Sequence, residues 1–269
     1  MSSTCKAVIA KAVDISHYHL HRISKQVAKD KQLRQAIEGT WGKHPAYGQL
    51  RISLHLGVNK KRIARVMKKF FLKPPRRKTR KFCTKPTNHH TYTNLIKDLV
   101  STRPHHIWAS DVSFFRFSGR WWYVATIEDL YTRQILGIQV SRHHDRWLIL
   151  SVSKQAVVNA GCVPDIFHSD QGTEFMARAC TSYWEDQSVS ISVSDTASPW
   201  QNGYKESFFG HFKGEFGSVD RFETPGEFIS AIYSQVKYYN HDRIHTALKM
   251  PPAKYAQLVL ENPRHFSGT

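Results

Sequence analysis

The stretch Trp108-Ala109-Ser110-Asp111-Val112-Ser113-Phe114-Phe115-Arg116-Phe117 is rich in aromatic and β-branched residues, and it predicts a first strand. Two further runs of this kind follow, Trp121 to Glu128 and Gln134 to Val140, with turns at Ser118-Gly119 and near Thr132. Helix-like and strand-like segments then alternate: Arg146 to Asn159 (helix), Asp165 to His168 (strand), Glu174 to Asp186 (helix), Ser190 to Val193 (strand) and Asn202 to Phe216 (helix). A meander of strands followed by such alternation predicts an α/β fold with a mixed sheet flanked by helices.

Three short polar motifs interrupt these apolar segments, and each contains a carboxylate. Asp111 closes Ile107-Trp108-Ala109-Ser110-Asp111, Asp170 lies in His168-Ser169-Asp170-Gln171-Gly172, and Glu206 ends Asn202-Gly203-Tyr204-Lys205-Glu206. Taken alone, an aspartate after a strand is usually a turn residue or a helix cap, and a glutamate on a helix is usually a solvated charge. Three such motifs in one predicted domain indicate a shared site instead.

Carboxylate oxygens suit Mg²⁺, which needs only two or three of them beside water and a substrate phosphate. Two such cations can activate an attacking oxygen and support the leaving oxygen of a phosphodiester. We therefore predict that Asp111, Asp170 and Glu206 are catalytic ligands of two Mg²⁺ ions, with Mn²⁺ as a substitute, and that Asp111 bridges the ions. Lys213 lies two helical turns beyond Glu206, where it would bind a phosphate beside the metals.

The charge of the chain indicates its partner. A net charge of +18 and a pI near 9.9 favour a polyanion, with nucleic acid ahead of a membrane surface, because no basic amphipathic helix with an apolar face is evident. No apolar run approaches the length of a membrane span, and the N-terminus lacks the apolar stretch of a secretory signal. The four cysteines are scattered, which disfavours a disulfide scaffold or a zinc finger and favours a reduced cytoplasmic setting.

The first part of the chain is predicted to be a basic helical region. No acidic residue occurs between Glu38 and Asp98. Helices are predicted at Asp30 to Thr40, Tyr47 to Leu56 and Lys60 to Phe71, and a further small helical pair within Ala10 to Arg22. Two short helices joined by a tight turn with a glycine suit a helix-turn-helix unit.

These patterns divide the chain into a helical helix-turn-helix region (1–73), a basic linker (74–104) and a catalytic core with a C-terminal helical extension (105–269). DNA contact is expected from nine basic residues of the first two parts: Lys60, Lys61, Arg62, Arg65, Lys68, Lys69, Arg76, Arg77 and Lys78. The alternative is a solvated basic face on an ordinary helical bundle.

The motifs resemble those of the DDE transposase and retroviral-integrase superfamily, and most nearly the integrase-core transposase encoded by the second reading frame of IS-three-type bacterial insertion sequences. The catalytic motifs of the resemblance are Trp108-Ala109-Ser110-Asp111, His168-Ser169-Asp170-Gln171-Gly172-Thr173-Glu174-Phe175 and Ser198-Pro199-Trp200-Gln201-Asn202-Gly203-Tyr204-Lys205-Glu206-Ser207-Phe208-Phe209, with Lys213 as the family's lysine. Flanking stretches are similar to the family's small DNA-binding domain and C-terminal part: His44-Pro45-Ala46-Tyr47-Gly48, Val58-Asn59-Lys60-Lys61-Arg62, Arg65-Val66-Met67, Tyr239-Asn240, Arg243, His245-Thr246-Ala247-Leu248 and Pro251-Pro252.

The resemblance implies a ribonuclease H-like core and a magnesium-dependent enzyme that nicks DNA at the terminal inverted repeats of its own element. The freed 3′-hydroxyl would then attack a second phosphodiester without a covalent protein–DNA intermediate. It also implies a homo-oligomer that holds two element ends, a bacterial, nucleoid-associated location, and a partner encoded by an upstream reading frame. The chain shows no long heptad region, so it is expected to be the downstream part only.

Two other classes of protein remain as alternatives. A tyrosine recombinase would need a tyrosine nucleophile with an Arg-His-Arg cluster, for which Arg243, His245 and Tyr255 are the candidates. It would act in EDTA and form a covalent DNA adduct. A non-enzymatic DNA-binding protein, such as a domesticated or silenced transposase acting as a repressor, would bind DNA without cutting it.

Overall fold

The computed structural model describes Ala12 and residues 17–74, 92–194 and 203–262, with side chains described from residue 26 in the second of these stretches and from residue 208 in the last. The chain forms two compact units, residues 1–76 and 77–269. Across the described stretches, no helix combines the length and the apolar character needed to cross a lipid bilayer.

The described part of the first unit contains three long helical segments: α1 (His17–Lys43), α2 (Gln49–Leu56) and α3 (Lys60–Lys69). Its buried side chains include Ile37, Tyr47, Ile52, Ile63 and Val66, so one apolar face of each helix contributes to a shared core. The predicted second and third helices are confirmed. The first is longer than expected and takes in residues 17–22 of the predicted N-terminal pair, the rest of which, apart from Ala12, lies outside the described residues.

Asp30, where the first helix was predicted to begin, lies inside α1 instead. Its carboxylate is fully buried in mid-helix and accepts hydrogen bonds from Arg65 Nη1 at 2.9 Å and Lys69 Nζ at 2.8 Å, both on α3. The two cations hold the pKa of the Asp30 carboxyl well below its usual range. Asp30 therefore joins α1 to α3 and does not cap a helix.

The connection between α2 and α3 is a tight turn. Gly57 ends α2 in the left-handed conformation, with φ at 63°, and its N–H donates to the carbonyl of Ser53. The side chain of Asn59 then accepts from the backbone N–H of Lys61 at 2.8 Å and caps α3. The assignment of this helix pair as a DNA-binding helix-turn-helix stays a prediction.

The second unit is built on a five-stranded sheet in the order β3-β2-β1-β4-β5. Its strands are β1 (Ile107–Phe117), β2 (Arg120–Asp129), β3 (Ile135–Ser141), β4 (Ile166–Ser169) and β5 (Ser190–Val193). The first three pair antiparallel, whereas β4 pairs parallel with β1 and β5 parallel with β4. The predicted meander and mixed sheet are confirmed.

Helices cover both faces of this sheet. The helices are α4 (Arg146–Ala160), α5 (Arg178–Glu185), α6 (Gly203–Phe216), α7 (Pro225–His241) and α8 (Pro252–Glu261), with a 3₁₀ turn at Val219–Arg221. Trp108, Ala125 and Ile127 of the sheet pack with α4 and α5 in one apolar cluster, which we call the first face. Phe115 and Trp122 pack with α6 and α7 in the second cluster, on the other face. Because side chains alternate between the two faces of a strand, neighbouring residues of β1 and β2 pack into opposite clusters.

The short β4 leaves most of β1 unpaired on one side. The β1–β4 ladder runs from Ile107↔Ile166 to Ala109↔His168, while β1 continues to Phe117. Beyond Ala109, no strand of the described residues pairs with β1 on the β4 side. The end of the ladder therefore leaves the backbone edge of β1 beyond Ala109 without a described strand partner on that side.

Part of the predicted linker packs against the second unit. The backbone N–H of Leu95 donates to Ser192 Oγ at 2.9 Å, and that of Val193 donates to the carbonyl of Thr93 at 3.2 Å. Residues 93–95 thus run beside β5. Linker residues 75–91 lie outside the described part of the chain, and the predicted domain boundaries remain a prediction.

Candidate active site

Asp111 and Asp170 lie side by side at the end of the β1–β4 ladder. The last paired residues are Ala109 and His168, and continuing this parallel register by two residues places Asp111 beside Asp170. Neighbouring strands lie about 5 Å apart, so the two carboxylates emerge next to each other. The arrangement arises because a buried β4 ends one residue before Asp170, in mid-sheet, next to a β1 that continues.

The surroundings of Asp170 disfavour its charged form. Burial raises the pKa of Asp170, and the negative charge of Glu174 adds to this effect. The backbone N–H of Gly172, which donates to Asp170 Oδ1 at 3.0 Å, and the nearby His144 act in the opposite direction without cancelling it. A carboxylate withdrawn from water beside a second aspartate is stabilised by a bound cation, so the donor set fits an oxygen-coordinated metal such as Mg²⁺.

Lys213 of α6 lies near Asp111. Its ammonium lies 4.9 Å from the ring centroid of Phe114 and 5.2 Å from that of Phe115, over the free edge of β1. Burial lowers the pKa of Lys213, whereas the negative charge of Asp111 raises it. A half-buried cation next to Asp111 can hold a phosphate oxygen at the site.

Glu206 belongs to the same helix as Lys213 and lies seven residues earlier, on nearly the same helical face. Its side chain lies outside the described residues, as do residues 195–202 that precede α6. Among the side chains that the structure does describe, no three metal-ligating groups converge. The structure therefore brings together Asp111, Asp170 and Lys213, and the contribution of Glu206 stays a prediction.

A further acid, Glu174, fixes the loop that follows Asp170. Its carboxylate bonds to His144 Nε2 at 2.7 Å, and the His144 ring stacks on Tyr123 with centroids 4.9 Å apart. The bond to Glu174 raises the pKa of His144. For Glu174, burial is the largest single influence and raises the pKa, but the bond to His144, a backbone hydrogen bond, the charge of His144 and a bond to Thr173 together outweigh burial and lower it. No sequence pattern predicted this pair, although Glu174 belongs to the same sequence motif as Asp170.

Two buried polar contacts hold the elements that carry the site. His168 bonds through Nδ1 to Ser192 Oγ at 2.9 Å and through Nε2 to Ser194 Oγ at 3.0 Å, which ties β4 to β5 immediately before Asp170. Arg243 Nε donates to Glu215 at 2.8 Å, and both side chains are almost fully buried. Since Glu215 lies two residues after Lys213, this ion pair anchors α6.

The predicted DNA-binding residues fall into three groups. Lys60, Lys61, Arg62 and Lys68 are exposed on α3. Arg65 and Lys69 are also exposed, but they bind Asp30 and so have a structural role that the sequence did not reveal. Arg76, Arg77 and Lys78 lie outside the described residues. DNA contact by all three groups remains a prediction.

Comparisons with known proteins agree with this fold. Residues 101–199 and residues 187–252 each match a family described as an integrase core domain. An uncharacterized transposase-like protein of Haemophilus influenzae is 30% identical over 201 residues, covering 74% of this chain and 93% of that protein. The putative transposase InsK of insertion sequence element IS150 from Escherichia coli is 26% identical, covering 89% of this chain and 87% of that protein.

Among solved structures, a chain of the simian T-cell lymphotropic virus intasome in complex with the PP2A regulatory subunit B56 gamma superimposes with a TM-score of 0.51 and 15% identity, covering 78% of this chain and 70% of that chain. The integrase-core matches and the transposase relatives define a polynucleotidyl transferase, and its core has the ribonuclease H-like fold. The chain belongs to the DDE transposase and retroviral-integrase superfamily, and its function is that of a transposase.

Proposed function

We propose that this chain is an insertion-sequence transposase that binds the terminal inverted repeats of its element, nicks them in a metal-dependent reaction and joins the freed 3′-hydroxyl to a second DNA site. The observation that carries the proposal is the β1–β4 register, which places Asp111 beside Asp170 with Lys213 over the free edge of β1. A site with two carboxylates and one cation suits a phosphodiester held by metals on one side and by an ammonium on the other.

Asp111 and Asp170, together with Glu206, would hold two Mg²⁺ ions, and Mn²⁺ would substitute for them. When bound, the two ions supply Lewis-acid activation of the attacking oxygen and stabilisation of the leaving oxygen. Lys213 would hold a non-bridging phosphate oxygen. The Glu174–His144 pair would keep the Asp170 loop in place, because Gly172, whose N–H binds Asp170, lies between Asp170 and Glu174 in that loop.

The reaction needs no nucleophile from the protein. Water or a DNA 3′-hydroxyl would attack the phosphorus directly, so no covalent protein–DNA intermediate would form. The tyrosine-recombinase alternative has less support, because Arg243 is buried in its ion pair with Glu215. Burial first, and a hydrogen bond with Tyr131 second, also raise the pKa of Tyr255 to about 12, which disfavours it as a nucleophile.

DNA binding would come from the exposed cations of α3 in addition to the site itself. Neutralising phosphates with such residues releases condensed counterions and gives sequence-independent affinity. Cutting and joining at two element ends requires that both ends be held together. We therefore propose a homo-oligomer on DNA, with the product of an upstream reading frame as an additional subunit.

The experiment is cleavage of a labelled DNA fragment carrying the element's own ends, with Mg²⁺ and with EDTA, by the wild type and by Asp170→Asn. The proposal predicts nicking that requires Mg²⁺ and that the variant loses, while both proteins bind the fragment. Nicking that persists in EDTA would refute it. Binding without any cutting would favour the repressor alternative if adding the upstream product does not restore cutting.

A further inference from the structure

An aromatic and cationic surface lies on the first face of the sheet, where the β1–β2 hairpin extends beyond the start of α4. We call it the stacking surface. Two indoles are its most exposed rings: Trp121 is 47% exposed and Trp147 is 56% exposed. The surface comprises Phe114, Arg116, Trp121, Tyr123, Arg146 and Trp147.

Each exposed indole of the stacking surface is paired with an arginine. The Arg116 guanidinium lies 5.9 Å from the ring of Trp121, its cross-strand partner. The Arg146 guanidinium lies 5.2 Å from the ring of Trp147, its neighbour at the start of α4. Exposed apolar side chains are common on proteins, but two indoles that each carry a guanidinium form a surface with ring faces for bases and cations for phosphates.

Ring contacts connect the hairpin part of the surface to Lys213, and Tyr123 contacts the segment that leads into α4. Phe114 meets Trp121 edge to face, with centroids 5.4 Å apart, and Phe114 is also the ring below the Lys213 ammonium. Tyr123 is the cross-strand partner of Phe114 and stacks on His144, three residues before Trp147. Lys213 in turn faces Asp111. Phe114 therefore links the stacking surface, across the unpaired edge of β1, to the site where the phosphodiester would be cut.

The hairpin that carries these rings is tightly closed and carries no negative charge beyond Asp111. Phe117 pairs with Arg120 across a two-residue turn in which Ser118 has φ at 49° and Gly119 has φ at 72°. No acidic residue occurs between Asp111 and Glu128. Near the start of α4, Asp145 accepts from the N–H groups that begin the helix, and Glu174 is paired with His144. The charge of the surface therefore complements a polyanion.

We infer that the stacking surface binds unpaired nucleotides of the DNA strand next to the phosphodiester at Asp111 and Asp170. In a duplex the faces of the bases are stacked on one another and are not accessible to side chains. Exposed indoles therefore favour a strand whose bases are unstacked. The arginines would meet the phosphates of the same strand. This inference rests on the proposed function, because it concerns the unpaired strand beside the phosphodiester that the proposed reaction cuts.

The test measures binding, in EDTA, of a labelled single strand of about 20 nucleotides and of an abasic strand of equal length. The abasic strand keeps the phosphates and lacks the bases, so the ratio of the two affinities reports stacking alone. The wild type should prefer the base-bearing strand by about tenfold or more. The double variant Trp121→Ala/Trp147→Ala should lose this preference and bind the abasic strand as the wild type does.

The double variant Trp121→Phe/Trp147→Phe is the matched control, since it keeps an aromatic ring at both positions and should retain most of the preference. Both rings are half exposed, so neither change removes a core residue, and thermal unfolding checks that the fold is intact. A wild-type ratio near one, or an unchanged ratio in the alanine variant, would overturn the inference. Because the measurement needs neither metal nor cutting, its outcome is independent of whether the cleavage experiment succeeds.

Discussion

Asp111 and Asp170 depend on each other through the register of two strands. The proposed metal site needs both carboxylates side by side, and burial already disfavours the charge on Asp170. Replacing either with an amide removes a charge that a divalent cation needs, yet it preserves shape and hydrogen bonding to the backbone. The Asp111 side chain, for example, accepts from the N–H of Val112 at 2.9 Å, and an asparagine oxygen can do the same.

We expect Asp111→Asn to lower the rate of Mg²⁺-dependent nicking by at least about 100-fold, because in the proposed mechanism Asp111 is a ligand of the metals that stabilise the reacting phosphate. Initial rates on a labelled element end measure this effect. Asp186→Asn is the control, since Asp186 is an exposed acid after α5 and should not affect the rate. A rate within a few-fold of wild type for Asp111→Asn would mean that Asp111 is not a metal ligand.

The His144–Glu174 pair should make stability depend on pH in a defined direction. The pKa of His144 is raised, so its contribution is complete below the ordinary histidine value of 6.5 and is lost as pH rises through the raised pKa. The pKa of Glu174 is lowered, so its contribution is complete above the ordinary value of 4.5 and is lost as pH falls through the lowered pKa. The pair is therefore most stabilising between pH 4.5 and 6.5.

Comparing the Tm of the wild type with that of Glu174→Gln across pH checks this prediction. The wild type should have the higher Tm, with the largest difference inside that window and a smaller difference at a pH well above the raised pKa of His144. Glu38→Gln, which removes the exposed Arg34–Glu38 pair, should change Tm little at any pH. A Tm difference for Glu174→Gln that does not vary with pH would contradict the assigned pairing.

At the scale of elements, the first unit depends on the contact of α1 with α3 through Asp30. We expect Asp30→Asn to destabilise this unit by about 1–3 kcal/mol, because the buried carboxylate loses its charge-assisted bonds to two half-exposed cations. Hydrogen exchange of residues 26–69 in the full chain measures the destabilisation as faster exchange. Unchanged exchange in α1 and α3 would show that packing alone holds the helices together.

The elements also show what the sequence could and could not predict. The β1–β3 meander was predicted to within a residue or so, because alternation and a tight Ser118-Gly119 turn are local signals. The helix predicted from Glu174 begins only at Arg178, because the Glu174 side chain binds His144, thirty residues earlier in the chain. The partners of Asp30 likewise lie 35 and 39 residues later in the chain. Contacts between residues this far apart in the chain leave no periodic pattern in the sequence.

The candidate site, too, could be predicted from the sequence only in part. The motifs alone indicated Asp111, Asp170 and Lys213, and the structure places the first two in adjacent register and the third over the edge of β1. The sequence could not reveal the Glu174–His144 pair or the stacking surface, because these combine residues from β1, β2, α4 and the loop after β4. Only the folded sheet brings such residues together.

At the scale of the whole molecule, the net charge of +18 should produce a strong dependence of DNA binding on salt. We expect the triple change of Lys60, Lys61 and Arg62 to alanine to weaken binding. It should also flatten the plot of log affinity against log salt by about 0.9 for each phosphate that the variant no longer neutralises. Fluorescence anisotropy on a duplex of the element end measures both effects.

A variant of equal net charge provides the control for this prediction. Changing Lys154, Arg178 and Lys237, all exposed in the second unit, to alanine removes the same total charge from positions without an assigned role in binding. This variant should keep the wild-type slope. An equally flattened slope in both variants would show that α3 makes no specific contribution to DNA binding.

The most direct test of the central claim is to replace Asp170 with cysteine and to measure nicking of the element end in Mg²⁺ and in Mn²⁺. A thiolate is a poor ligand for Mg²⁺ and a better one for Mn²⁺. If Asp170 holds a catalytic metal, Asp170→Cys should be nearly inactive in Mg²⁺ and regain cutting in Mn²⁺, while the wild type cuts in both. Wild-type nicking by Asp170→Cys in Mg²⁺ would contradict the account, because the side chain then could not be a ligand of the metal that drives the reaction.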